Sequence, residues 1–231
     1  MKCFRLGRLP FLPVVFCLVL LMVPWVNAEK KEVENVCFRW AFGAMVGPEN
    51  DRRLVAITRD TTLKTGDQLK LLVELKKKCF VYLVYHSGQD DMLMLFPYKL
   101  EQFSADYKTS KKYFIPQGNL WFELDENFGL ETFYLLASAK RLDELEVLFK
   151  SHETEGVIDK QKRTKKILNQ IRKIKKQHLT LTTNAERPVT IGGNVRGVNK
   201  DQEILPLDFD AIAAEISANN FYSRTFTIEH Q

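Results

Sequence analysis

Leu69, Leu71, Val73 and Leu75 alternate with Gln68, Lys70, Leu72 and Glu74, a period of two that predicts a strand with one buried face. Three lysines, Lys76, Lys77 and Lys78, break the run. Residues 79–85, CFVYLVY, are apolar at every position and rich in aromatic and β-branched side chains, as a strand buried on both faces requires. Ser87-Gly88-Gln89-Asp90-Asp91 is turn chemistry, and 92–96 predicts a further strand stopped by Pro97. These three strands are expected to form the middle of one antiparallel sheet.

The rest of the chain reads as packing around them. Phe38, Trp40, Phe42 and Ala44 share one parity, so 37–44 is a strand with an aromatic inner face. A short strand follows at 54–58, with turns at 60–62 and 65–67. Residues 98–110 are a polar loop pinned by Phe103 and Tyr107, and strands are expected at 112–115, 120–124 and 131–137. Ser138 is a suitable N-cap for a helix over 139–150, buried along Leu142, Leu145, Leu148 and Phe149.

Over about 156–179 the β signal vanishes. Thr164, Ile167, Ile171, Ile174 and His178 step by three and four, and lysines and arginines fill the other faces, which predicts a long basic helix. Weak strands are expected at 179–183 and 188–191. Asp208 caps a helix predicted over 209–217 with Phe209, Ile212 and Ile216 inward, and 222–229 closes the chain as a strand. The expected fold is mainly β, an antiparallel β-sandwich-like sheet with about three peripheral α-helices, one long and basic.

The first residues change where that fold begins. Lys2, Arg5 and Arg8 stand without an acid before an apolar stretch over 10–23, and Val26-Asn27-Ala28 follows, the order of a secretory signal. The competing reading is a membrane anchor, but the stretch is shorter than the roughly 20 residues of a spanning helix and is interrupted by Pro13 and Pro24. The organisation is therefore 1–28 signal peptide, 29–36 flexible lead-in, and 37–231 a single β-rich domain with a basic helical insertion at about 156–179. Cleavage near Ala28 implies a periplasmic or secreted protein with no transmembrane segment in the mature chain. Of four cysteines, Cys37 and Cys79 remain after cleavage. Both sit at strand starts, where a disulfide is geometrically open; the parity of Cys37, opposite to Phe38 and Trp40, counts against it.

Charge sharpens the picture. The chain holds 34 basic and 29 acidic residues. Nine of the basic ones, Lys160, Lys162, Arg163, Lys165, Lys166, Arg172, Lys173, Lys175 and Lys176, fall in 160–176, which contains no acid. The remainder of the mature chain is net acidic. The run is either the solvated side of a helix whose isoleucines pack on the sheet, or a rod that attracts phosphate-bearing envelope polymers, anionic lipid headgroups or an acidic partner. Nucleic acid is disfavoured, because no aromatic platform or base-reading side chain lies among the lysines.

Several short motifs recur in a familiar order. Leu63-Lys64-Thr65-Gly66-Asp67 enters a strand, then come CFVYLVYHSGQDDMLMLFP at 79–97, YFIP at 113–116 and GLETFYLLAS at 129–138. Together they resemble the bacterial domain of unknown function 4384, over roughly residues 54–150. The basic helix is not part of that pattern. The resemblance implies a β-rich module associated with the bacterial envelope or with signalling, and it brings no catalytic residues.

The remaining candidate chemistry is thin. His86-Ser87 beside Asp90 and Asp91 suggests a hydrolase, with Asp125 as a further acid, but neighbours on a strand face opposite ways and no G-x-S-x-G elbow is present. Asp125 to Gly129 looks like the start of a calcium loop. The sixth and twelfth positions, which need glycine and glutamate, are Leu130 and Leu136. Cys37, Cys79 and the histidines lack zinc-ligand spacing, and Gly192-Gly193-Asn194 lacks the spacing of a phosphate loop. No catalytic residue, metal or cofactor is expected. The expectation is a non-catalytic binding or assembly module of the bacterial cell envelope, whose partner is an envelope protein or an anionic envelope component. The alternatives are a hydrolase acting on envelope material and a polyanion- or membrane-surface-binding protein acting through the basic helix.

Overall fold

The alternating residues of the sequence become the facing surfaces of two sheets. A computed structural model describes residues 35–154, 160–178, 185–187 and 208–231. The expected signal peptide, residues 29–34 of the lead-in, the strands at 179–183 and 188–191 and the turn at Gly192 lie outside the described residues.

The first sheet holds β1 (Asn35–Val46), β2 (Arg53–Ala56), β4 (Gln68–Leu75), β7 (Lys112–Ile115), β8 (Phe122–Glu123), β10 (Ala185–Arg187) and β11 (Ala214–Asn219). Its order is β10-β11-β1-β4-β7, with β2 beside β1 and β8 beside β4. The second sheet holds β3 (Thr61–Leu63), β5 (Phe80–His86), β6 (Met92–Phe96), β9 (Gly129–Ser138) and β12 (Phe221–His230), in the order β3-β12-β9-β5-β6. Pairing is antiparallel except between β3 and β12. These strands belong to one compact unit, Val33–Gln231.

The inner faces follow from parity. Phe38, Trp40, Phe42 and Ala44 of β1 and Leu69, Leu71, Val73 and Leu75 of β4 meet Phe133, Leu135 and Ala137 of β9 and Phe226 and Ile228 of β12. Ring contacts bind the sheets across the middle: Phe42 lies 5.0 Å from Phe133 and 5.4 Å from Phe226, and Trp40 lies 5.0 Å from Phe226. Each such side chain contributes about 1.5–3 kcal/mol by leaving water. Asn35 and Val36 already pair with Asn219 and Ala218, so the lead-in ends two residues earlier than expected, because buried Val36 extends the inner parity of Phe38.

Two expectations about the sheets are corrected. β4, β5 and β6 are not the middle of one sheet. β4 pairs with β1, β7 and β8, whereas β5 pairs with β6 and β9 in the other sheet. The exposed lysines 76–78 carry the chain across at the corner. The residues predicted as a helix over 209–217 form a turn at 209–212 followed by β11. Asp208 does cap, its Oδ1 accepting the N–H groups of Asp210 and Ala211 at 2.9 and 3.2 Å, but it caps a turn. Beyond it Ile216 and Ala218 are buried at a period of two, opposite Phe38 and Val36.

Three α-helices complete the described fold: α1 (Gln102–Ala105), α2 (Asp143–Thr154) and α3 (Lys160–His178). α1 is a single turn inside the expected loop, whose Phe103 and Tyr107 pack on Phe80 and Phe96 as read from the sequence. α2 starts at Asp143 rather than Ala139, because β9 runs on through Ser138, which pairs with Phe80 and Phe221. The buried Tyr82 hydroxyl sets the start of α2, accepting the N–H of Leu142 at 3.0 Å and donating to Glu146 at 2.7 Å.

The outer faces are also covered. Tyr82, Val84, Leu136 and Phe221 of the second sheet lie beneath Leu145 and Phe149 of α2 and Ile167, Ile171 and Ile174 of α3. On the first sheet Ala41 and Leu72 lie beneath Phe209 and Ala213. Gly43 admits that turn: a Cβ there would fall 2.7 Å from Leu54 and 3.1 Å from Phe209 and Ile212.

Candidate functional site

α3 has two faces with different work. Thr164, Ile167, Ile171 and Ile174 are buried, the three-four stripe expected from the sequence, and the hydroxyl of Thr164 donates to the carbonyl of Asp90 at 2.9 Å. His178, at the end of the stripe, is half-buried and stacks on Phe221 at 4.4 Å, and burial lowers its pKa. The basic residues then divide. Lys162, Lys165, Lys166, Arg172, Lys173 and Lys176 are exposed, whereas Lys160, Arg163 and Lys175 are half-buried. Lys175 turns back toward the sheet, where its ammonium donates to Thr225 at 3.0 Å and burial lowers its pKa.

The exposed cations lie in one band. Lys162, Lys166, Lys173 and Lys176, with Asn169 between, repeat the three-four step on the side away from the isoleucines, and Lys165 and Arg172 flank them. Asp91 lies 2.5 Å from Lys160, and Glu144 of α2 lies 2.9 Å from Lys173. The Lys173 hydrogen bond, helped by Gln170, holds the Glu144 carboxyl below its ordinary pKa. Lys165, Lys166 and Lys176 make no ion pair or hydrogen bond with a described residue. Over roughly 8 Å, the Debye length at physiological salt, such a band attracts anions.

The hydrolase set does not assemble. His86 lies 3.1 Å from Asp90, while the Ser87 hydroxyl oxygen accepts the N–H groups of Gln89 and Asp91 at 3.2 and 2.9 Å and closes the turn. The histidine thus meets an acid and not the hydroxyl it would have to activate. Asp125 accepts from the backbone and side chain of Asn127, which hold its carboxyl below the ordinary range. Among the described residues no three His, Cys, Asp or Glu side chains are grouped to hold a metal ion, and no helix is long and apolar enough to cross a membrane.

The two cysteines face different ways. Cys79 is buried in the core, Cys37 faces the other side of β1, and both are free thiols. The Cys79 sulfur approaches the Cys37 carbonyl oxygen, at 3.9 Å, rather than its sulfur. Burial pushes the Cys79 thiol up to about 11 and also raises Cys37.

One polar residue went unread in the sequence. Glu131 shares the parity of Phe133, Leu135 and Ala137, so its carboxylate points between the sheets and is only 7% exposed. It lines a cavity of about 170 Å³ with Leu69, Tyr85, Phe122 and Phe133. The signal was available: the alternation that places Phe133 inside places Glu131 inside as well.

The motif that opens the central segment is a tight turn built as its residues demand. The N–H of Asp67 donates to the carbonyl of Lys64 at 3.0 Å, Gly66 takes φ +85°, and the Asp67 carboxylate accepts the N–H of Lys64 at 2.9 Å. Leu124 pins the turn to β8, its N–H donating to the Asp67 carbonyl at 3.0 Å. Residues 62–141 match the family model of a domain of unknown function (DUF4384). The resemblance read from the turn and the three later motifs therefore holds over this segment, which is narrower than 54–150. The matched segment contains β4 to β9 and every residue named around the Glu131 cavity, and it ends before α2 and α3. No curated protein and no solved structure matches the chain.

Proposed function

We propose that the protein is a secreted or periplasmic, non-catalytic binding module of the bacterial cell envelope, and that it meets an anionic envelope component through the outer face of α3. The observation that carries the reading is the band of six exposed cations, three of them without a partner among the described residues. The isoleucine face explains why a helix lies there; it does not call for lysines on the opposite side. The charged start, apolar stretch and Ala28 support an exported chain, and N-terminal sequencing of the exported protein should begin at Glu29.

Vesicles of neutral lipid with and without anionic lipid test the binding. A lysine close to an anionic surface contributes about 1 kcal/mol, so the combined Lys165→Gln, Lys166→Gln, Lys173→Gln, Lys176→Gln variant should bind anionic vesicles about a thousandfold more weakly than wild type. Retention of wild type should also fall steeply with added salt. Equal retention of both proteins would place the binding surface elsewhere, and no retention of wild type on anionic vesicles or on a polyphosphate matrix would return α3 to a solvated face.

A further inference from the structure

The cavity around Glu131 is independent of α3. It opens between the sheets, with Leu69 and Phe122 on the first and Tyr85, Phe133 and Glu131 on the second. Its acidic lining residues are Glu131 and, on β8, Glu123; no basic side chain lines it. Glu131 is more than nine-tenths buried, and its Oε2 has no hydrogen-bond partner among the described residues. A buried, unpartnered carboxylate oxygen is costly, and its persistence calls for a partner that arrives from outside. Tyr85 does not supply a charge: burial first, then its hydrogen bond to the Glu131 carboxylate and the charge of that group, raise its pKa, so it stays a neutral phenol, and Asp91 and Asp125 add to the negative field around it.

Three aromatic rings, a deep carboxylate and a second carboxylate are the chemistry of cation recognition. We propose that this cavity binds a primary alkylammonium group, its short apolar arm lying against Tyr85, Phe122 and Phe133 and its N–H donors meeting Glu131. The unpartnered oxygen needs a hydrogen-bond donor, which favours a primary over a quaternary ammonium. At about 30 Å³ per water, the 170 Å³ volume offers about five or six water-sized positions, which suits a short arm and excludes a drug-sized ligand. Such a group is carried by ethanolamine headgroups and by the side chains of lysine-like residues.

The test titrates the full chain with n-butylammonium chloride and follows it by NMR and calorimetry. A ligand of this size is expected to bind in the millimolar range, with tetramethylammonium and neutral 1-butanol at least tenfold weaker. Glu131→Gln should weaken n-butylammonium binding at least tenfold while the protein stays folded. Leu93→Trp, at a 50% exposed position of the same lining, should block the slot with Glu131 intact. Competition by phosphatidylethanolamine vesicles would assign the group to a headgroup; competition by Nα-acetyl-lysine amide would assign it to a side chain. No saturable binding to wild type, binding unchanged by Glu131→Gln, or equal binding of 1-butanol would overturn the proposal.

Discussion

The two outer faces of the sandwich are covered by similar apolar contacts but carry charge in opposite ways. On the first sheet a turn lays Phe209 and Ala213 over Ala41 and Leu72, and the charges beside it interlock. Arg39 lies 3.2 Å from Glu74 and 3.3 Å from Asp210, Lys76 lies 2.6 Å from Glu74, and Lys112 lies 2.5 Å from Asp210. On the second sheet α3 brings nine basic residues and no acid of its own; Asp91 pairs with Lys160 and Glu144 with Lys173, while Lys165, Lys166 and Lys176 have no partner among the described residues. Covering a sheet requires apolar contact. The apolar contact does not call for the cations of α3 that have no acid beside them among the described residues, so they are an addition to the covering role.

The largest effect should come from the covering contacts themselves. Ile171 is 1% exposed between α2 and the sheet, and Ile171→Ala should cost about 3 kcal/mol in denaturant unfolding, within the range for such truncations. Phe209→Ala should cost about as much on the other face. A loss below about 1 kcal/mol at Ile171, with a full loss at Phe209, would break the comparison, since α3 would then merely rest on the sheet.

Next comes the balanced network. Glu74 is buried and takes hydrogen bonds from Arg39 and Lys76. Hydrogen bonds to charged groups contribute about 1.5–3 kcal/mol, and partial exposure of both bases reduces this, so Glu74→Gln should cost about 1–2 kcal/mol. Asp210 gives a smaller, pH-dependent share. Its hydrogen bond from Lys112 holds its carboxyl below the ordinary range against an opposing effect of burial, with the Lys112 and Arg39 charges adding. A depressed folded-state pKa stabilises the fold above the unfolded value, about 4, and that contribution is lost as pH falls through the lower folded value. Asp210→Asn should therefore be less stable than wild type at neutral pH, by a few tenths to about 1 kcal/mol, and should converge with it in strong acid. A gap that persists there would remove the ion pair from the account.

The thiols distinguish the core, where Cys79 lies, from the outer side of β1, where Cys37 lies, without altering stability. In the unfolded, unreduced protein both Cys37 and Cys79 should label. In the folded protein Cys37 should react first, because Cys79 is buried with its pKa at about 11. A single mass shift of two hydrogens on reduction would instead reveal a bridge.

Much of this arrangement was legible before the structure, and the misses share a cause. Parity placed Phe38, Trp40, Leu71, Phe133 and Phe226 inside, and the three-four step placed Ile167 and Ile171 inside, because one buried face imposes a period that local sequence records. Which sheet a strand joins is a long-range choice, so the separation of β4 from β5 left no local trace beyond the three corner lysines. Ala211 to Ser217 carries both periods, and pairing of Ile216 with Phe38 decided between them. The band on α3 was visible as composition, although not which cations turn back to the sheet. Glu131 was missed because an acid at a strand start reads as solvent-facing until its strand is known to continue inward.

The most direct test of the difference between the two faces is retention on anionic vesicles for three proteins side by side. These are wild type, the variant with Lys165, Lys166, Lys173 and Lys176 changed to glutamine, and a control with Lys64, Lys77, Lys78 and Lys99 changed to glutamine, all four exposed and outside α3. Both variants lose the same charge. Retention should collapse for the α3 variant and stay near wild type for the control, with unfolding free energies within a few tenths of a kcal/mol per lost pair. Equal losses in the two variants would show that net charge alone governs binding and would contradict a dedicated face on α3.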